Sequence, residues 1–291
     1  MRYPRILASI RSARWAVTPP TLQAISDSLG AHLRGSLQTR PVFALPVDSP
    51  PPATPAPEPS APEMTQAGVA VIPVYGIIGK NLSSMEMLCG GCDLQAVSGA
   101  LDEAVSDNKV SAIILDIDSP GGVVTGVPEM ADKIREVAQA KRIVAFTSGQ
   151  CCSAAYWMAS ACDAIFCTKS ADLGSIGVYV ALVDDSKWWE NEGYKLELIK
   201  AGDFKAMGIS GKPLEDAERA LIQADVDAIY SMFTGDVVSG RGKIDDATMQ
   251  GQTFMGQSAV DVRLADEVVT DLGALVAMLA EEVSPTARGK S

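Results

Sequence analysis

Histidine is almost missing from this chain, which has 291 residues and a single one, His32. Basic residues are in deficit, 24 Lys and Arg against 36 Asp and Glu, and aromatics make up 5%. Long uninterrupted apolar runs are also lacking. Each shortage excludes something. A net charge of −12 argues against nucleic acid as a partner, because phosphate binding needs a basic field. The longest uncharged run, residues 143–162, is broken by Thr147, Ser148, Gly149 and Gln150. It reads as a buried strand, a turn and a helix rather than a membrane span. The N-terminus carries Arg2, Arg5, Arg11 and Arg14 without an apolar stretch, so neither a secretory signal nor a membrane anchor is expected and the location expected is cytoplasmic. Its Arg-rich, acid-poor composition weakly matches an organellar transit peptide.

What is present divides the chain. Residues 1–40 read as a helical leader, with Thr21 as cap and Leu22, Ile25, Leu29 and Leu33 at helical spacing. Residues 41–66 read as a linker, since nine of the seventeen prolines fall within 41–62 and proline at that density makes neither helix nor inner strand. Residues 67–283 read as an α/β domain, and 284–291 as a flexible C-terminal tail. In the domain, strands are expected over 69–78, 110–117, 143–147, 164–168, 176–183 and 195–200. Helices are expected from Asp93 to Ala104, 125–140 and 153–162, around Trp188, and from Pro213 along a face of Leu214, Ala217, Leu221, Ala224, Ala228 and Phe233. Such alternation implies a mainly parallel sheet with helices outside.

Six cysteines without an export signal imply free thiols. Cys89 and Cys92 form a C-x-x-C pair, but zinc needs two further ligands and His32 is remote. A loop with incidental cysteines is expected, and no metal or cofactor.

The stretch Ser148–Asp163 follows an apolar strand and runs into a helix. A small-residue turn in that place can present one side chain among backbone N–H groups, and Ser153 is the candidate nucleophile. A serine hydroxyl needs a base. His32 precedes the linker, so a Ser-His-Asp triad inside the domain is excluded, and a lysine or carboxylate base, or one from another chain, remains. With an ordinary pKa near 10.4, only about 0.1% of a lysine is neutral near pH 7.4, so a lysine base wants apolar, small-residue surroundings. Lys205, in Gly202-Asp203-Phe204-Lys205-Ala206-Met207-Gly208, has them, although on spacing alone it reads more readily as a surface lysine; Lys200 competes. An oxyanion needs donors. Gly121 and Gly122, in Asp118-Ser119-Pro120-Gly121-Gly122, leave backbone N–H groups open, although an ordinary strand-to-helix turn reads as well. The N–H of Ala154 offers a second donor.

Four blocks, D-S-P-G-G at 118–122, S-G-x-x-x-S-A-A-Y at 148–156, G-S-I-G-V at 174–178 and G-D-F-K-A-M-G at 202–208, together resemble the signal peptide peptidase A family of serine proteases, over about Val69 to Val269. The resemblance implies a Clp protease/crotonase-like fold and a Ser-Lys dyad. Ser153 would be the nucleophile, Lys205 the general base and a Gly121-Gly122 amide the oxyanion donor, with Ser175 holding the lysine. Ala155 stands where the family commonly has glycine, and Arg263 replaces a common glycine near the end. The Cys151-Cys152 pair reads as packing; exposed, it would make the site sensitive to thiol reagents. Arg14-Trp15-Ala16-Val17-Thr18-Pro19 resembles the leader of phage and prophage members, which act in capsid assembly inside a procapsid. The implied partners are polypeptide substrates such as capsid scaffold, and further copies of the chain in a homo-oligomeric ring that shares active sites. Two other readings share the fold: a crotonase-type acyl-CoA enzyme, which would not need the Ser153/Lys205 pair, and a non-catalytic shell protein.

Overall fold

The computed structural model describes residues 68–88 and 90–283, with short backbone strands at 15–17 and 63–64. In chain order the elements are β1 Trp15–Val17, β2 Glu63–Met64, β3 Val69–Tyr75, β4 Ile77–Gly79, α1 Ser84–Leu88, β5 Gly91–Asp93, α2 Leu94–Ser106, β6 Ala112–Asp118, β7 Gly121–Val123, α3 Val127–Ala140, β8 Arg142–Thr147, β9 Gln150–Cys152, α4 Ala154–Ala159, β10 Ala164–Cys167 and β11 Asp172–Gly174. They continue with α5 Ser186–Asn191, α6 Asp216–Arg241, a 3-10 turn at Asp246–Met249, β12 Thr253–Met255, α7 Gln257–Asp261, β13 Glu267–Val268 and α8 Leu272–Val283. The expected helix at 21–33, His32, Cys89 and the tail 284–291 lie outside the described residues.

The main sheet runs β13-β10-β8-β6-β3-β2, parallel throughout except for the antiparallel edge pair β2–β3. The mainly parallel α/β architecture expected from the sequence is therefore present. Its central strands are apolar on both faces, as helices on both sides demand. Ile113, Leu115 and Ile117 pack with Ala70, Ile72 and Val74 under α2, α3 and α4, while Ala112, Ile114, Val144 and Phe146 pack under Leu275 and Leu279 of α8. Asp93 caps α2 as expected, accepting the Gln95 N–H at 3.1 Å.

Three central strands continue past a kink at their carboxyl ends into small satellite sheets. β3 passes through Gly76 into β4, β6 through Ser119-Pro120 into β7, and β8 through Ser148-Gly149 into β9. One satellite is ordered β1-β7-β4-β5 and the other β12-β11-β9. The expected single strand 69–78 is thus two strands. Gly76 adopts φ +86°, and a Cβ there would lie 2.1 Å from the Gly90 carbonyl oxygen, so the chain turns where only glycine fits.

Other expectations are corrected. Glu63–Met64, assigned to the linker, pairs with Ala70 and Val71. Within the leader expected to be helical, Trp15–Val17 is a strand. Residues 176–183 and 195–200 form no strand. Their β-type composition leads away from the core: Ile176 is buried, but Val183 is 86% and Ile199 94% exposed, and a strand needs a neighbouring edge. The long helix opens at Asp216, not Pro213, because Glu215 and Glu218 close a capping box there. Its face is buried only toward the C-terminal end, at Phe233 and Val237; Ala217, Leu221, Ala224 and Ala228 are exposed. That end is anchored on α4. The Trp157 ring stacks on Phe233 at 4.5 Å, and its indole N–H donates to Asp236 at 2.6 Å.

One carboxyl in the sheet is costly. Asp116 is buried, and the Tyr75 hydroxyl donates to it. Burial pushes its pKa up; the Tyr75 bond opposes this, and the Asp118 charge adds to it. The folded state therefore holds this proton more tightly than the unfolded chain. The contribution favours folding in acid and is lost as pH rises from the ordinary carboxylate range through the raised value. Asp116→Asn keeps an acceptor for Tyr75 without the charge. Its urea midpoint is expected to exceed wild type at pH 7 and to lose that advantage by pH 4. An equal loss at both values would contradict this.

Candidate active site

Ser153 sits where β9 turns into α4. Its φ of +57° is a left-handed backbone that L residues avoid unless their surroundings enforce it. Here they do. The Ser153 N–H donates to the Gly174 carbonyl at 2.7 Å, and the Cys152 N–H to the Ser119 carbonyl at 3.1 Å. The turn is therefore tied on one flank to the end of β11 and on the other to the loop before β7. The Ser153 carbonyl already accepts from Trp157 N–H at 2.9 Å, so α4 begins at once. Ala154 occupies its first position, where an N–H has no intrahelical acceptor.

The neighbouring loops bring most of the expected residues to this turn. Ser175, buried and with φ +50°, directly follows the Gly174 that holds Ser153, and its N–H donates to the Gln252 carbonyl at 2.8 Å. Gly121 has φ +102° and donates its N–H to Ser119 Oγ at 3.2 Å, while Ser119 Oγ donates to the Gly76 carbonyl at 2.6 Å. Gly122 lies in β7 so close to β4 that a Cβ would sit 2.0 Å from the Ile78 carbonyl oxygen. Gly121 is thus required by its left-handed backbone and Gly122 by backbone approach, and Ser119 links their loop to the residue before Ser153.

Two groups in this arrangement escaped the sequence reading. Asp118 Oδ1 accepts the Gln150 N–H at 3.0 Å, and a Cβ on Gly149 would come within 2.3 Å of that same oxygen. The carboxylate braces the loop that leads to Ser153. Ser119 Oγ is the second, linking the Gly121 amide to the Gly76 carbonyl. Both stand in the D-S-P-G-G block, where they read only as part of a turn.

Lys205 is exposed, in the largely exposed stretch 176–215, whereas Ser153 is 1% exposed, and no hydrogen bond joins the two. Among the described residues the Lys205 ammonium has no hydrogen bond or ion pair. Its competitor Lys200 is engaged: its ammonium donates to the Asp203 carbonyl and lies 3.9 Å from the buried Glu218, which Lys212 also pairs at 3.1 Å. The Glu215 N–H and Lys212 hold the Glu218 carboxyl below the usual range. Lys200 is a structural cation; Lys205 is the uncommitted one. The segment is braced internally, with the Trp189 indole donating to Ser210 Oγ at 3.0 Å and the Gly211 N–H to Asp185 at 2.7 Å.

Cys151 and Cys152 are both buried. Burial raises both thiols, Cys152 to about 12 and Cys151 well above its ordinary value. A thiolate is the reactive species, so treatment with iodoacetamide at pH 8 is expected to leave Ser153 labelling by a fluorophosphonate unchanged. Loss of labelling would mean that the pair is reachable. Among the described residues no cluster of three or more His, Cys, Asp or Glu side chains could hold a metal ion.

A strained serine at the start of a helix, flanked by backbone donors on kinked parallel strands, has the form of the nucleophile turns found in hydrolases. The chain belongs to Peptidase family S49, whose profile matches residues 135–284. It is 32% identical over 224 residues to the head-tail preconnector protein GP5 of Enterobacteria phage P21, covering 76% of this chain and 44% of that one. It is also 32% identical over 213 residues to the capsid assembly protease C of Escherichia phage lambda, covering 72% and 48%. The chain therefore spans about half the length of these relatives. Among solved structures it is similar to a membrane-bound stomatin-specific protease, at 11% identity and a TM-score of 0.44, covering 71% of this chain and 82% of that one. No helix among the described residues is long and apolar enough to cross a membrane.

Proposed function

We propose that this chain is a serine endopeptidase in which Ser153 Oγ attacks the scissile carbonyl and Lys205 is the general base. The observation that carries the reading is the Ser153 turn itself, held at φ +57° by Gly174 and Ser119 with the Ala154 N–H at a helix start. As Oγ bonds to the carbonyl carbon, its proton passes to Lys205 Nζ, and the oxyanion is met by Ala154 N–H and an amide of Gly121-Gly122. The lysine returns the proton to the leaving amine. Water, deprotonated by the same lysine, then releases the acyl group from Ser153. Ser175 orients the lysine.

The two halves of the dyad meet between neighbouring copies in a homo-oligomeric ring. The exposure of Lys205 against the burial of Ser153 supports this, as do the exposed Val183, Trp188, Ile199, Phe204 and Leu221 in the same part of the chain, apolar surface of the kind that subunit contacts cover. Family membership, and relatives named for capsid assembly, support substrates among phage or prophage capsid and scaffold proteins, acted on in the host cytoplasm or inside a procapsid.

A fluorophosphonate probe, followed by peptide mass mapping of the assembled protein, tests the nucleophile: the label is expected on Ser153. Binding of a CoA thioester without any such label would instead favour an acyl-CoA enzyme.

A further inference from the structure

The described part of the leader lies on the strand that carries the oxyanion glycines. Trp15–Val17 runs antiparallel to Gly121–Val123, with Trp15 opposite Val123, Ala16 opposite Gly122 and Val17 opposite Gly121. The other edge of β7 is taken by β4, through Ile78 opposite Gly122. A strand has two edges, so β1 occupies the one that β4 leaves. An extended peptide joining that edge would use the same main-chain donors and acceptors, and its carbonyl would pass beside Gly121-Gly122, one loop from Ser153. In this same arrangement Ser153 is closed to solvent.

We propose that residues 15–17 are a tethered competitor of the substrate: the leader strand fills the edge of β7 on which an extended polypeptide must add, and leaves when a substrate segment takes its place. The inference rests on Ser153 being the nucleophile of a peptidase and adds how access to it is controlled. Three paired residues bind weakly alone. Residues 18–67 join them covalently to the domain, however, so rebinding is intramolecular, at an effective concentration on the order of 1 mM or below. That suffices to hold a weak strand against dilute peptide and to lose to crowded, extended polypeptide. The partner class is an unfolded or extended segment recognised through its backbone, since Gly121 and Gly122 offer no side chains to read.

The test uses the full chain carrying Ala16→Pro and Val17→Pro together. Adjacent strand residues point their N–H groups to opposite sides, so the pair removes whichever faces β7. Fluorophosphonate labelling of Ser153 and casein hydrolysis are both expected to rise roughly tenfold, following the loss of a tethered competitor. A synthetic peptide of residues 10–22 should then inhibit the variant competitively and the wild type far less. Unchanged or lower rates in a variant with wild-type circular dichroism would overturn the proposal. Absence of Ser153 labelling in both chains would sink the peptidase reading itself, and this inference with it. Hydrogen exchange on the Ser153→Ala chain gives an answer even if the proline variant misfolds. Saturating casein should expose the amides of residues 15–17 while those of 121–123 stay protected, and continued protection of both segments would overturn the proposal.

Discussion

Ser153→Ala and Lys205→Ala should each reduce cleavage of a polypeptide substrate to background, a loss on the order of a millionfold in turnover if the pair acts as a unit. The more telling result comes from mixing them. Each variant keeps one half of the dyad. If a site is built from the serine of one chain and the lysine of its neighbour, random co-assembly of equal amounts restores about a quarter of the wild-type sites, because a site works only where an intact serine meets an intact lysine across an interface. If both come from one chain, the mixture stays inactive. Casein hydrolysis after co-refolding, normalised to wild type, separates the two outcomes. An inactive mixture would remove the shared-site part of the proposal and leave the nucleophile assignment untouched. Full activity in either single variant would remove the dyad.

Trp157→Ala is expected to produce the largest loss of stability, about 3–5 kcal/mol from lost burial and the cavity together. The side chain is fully buried, stacks on Phe233 at 4.5 Å, and donates its indole N–H to Asp236 at 2.6 Å. Asp236 also receives Arg135 at 2.6 Å, so removal leaves a charged network short of a donor as well as a void. Nearby, a Cβ on Gly240 would lie 1.8 Å from the Ser160 carbonyl oxygen, so α6 and α4 have no slack with which to close the gap. Since the whole stability of a domain is typically 5–15 kcal/mol, a fall of this size should be plain in urea unfolding. Trp157→Phe retains a ring on Phe233 but loses the donor and part of the ring volume, and should cost less, about 1–3 kcal/mol. Equal losses in the two variants would show that the hydrogen bond, not the stack, holds α6 to α4.

Much of the fold was legible because burial leaves a periodic trace. The apolar run at 110–117 marked a strand covered on both faces, observed as Ala112–Asp118, Asp93 marked a helix start, and the small-residue stretch before Ala154 marked a turn from strand to helix. The expectations that failed share one cause. Residues 176–183 and 195–200 have the composition of strands, and the first half of α6 has the pattern of a buried helix, yet within one chain none of these apolar surfaces is fully covered. Periodicity says that a face wants covering, not what covers it. The kink at Gly76 was missed because the apolar pattern runs straight through it, while the close approach of Gly90 that requires glycine there exists only in the folded backbone.

By itself, the sequence determined the chemistry open to this protein. With a lone histidine ahead of the linker, a serine nucleophile in the α/β domain had to find a different base, and the glycine-rich blocks restricted where donors for an oxyanion could stand. Those are consequences of residue type. Only the tertiary structure decided how the pieces lie in space: that Asp118 and Ser119 brace the Ser153 turn, that Lys200 is bound to Glu218 while Lys205 stays exposed, and that Trp15–Val17 lies along Gly121–Val123. Distance along the chain carries no information about such contacts, because each depends on which strand edges and carbonyls a folded backbone leaves within reach.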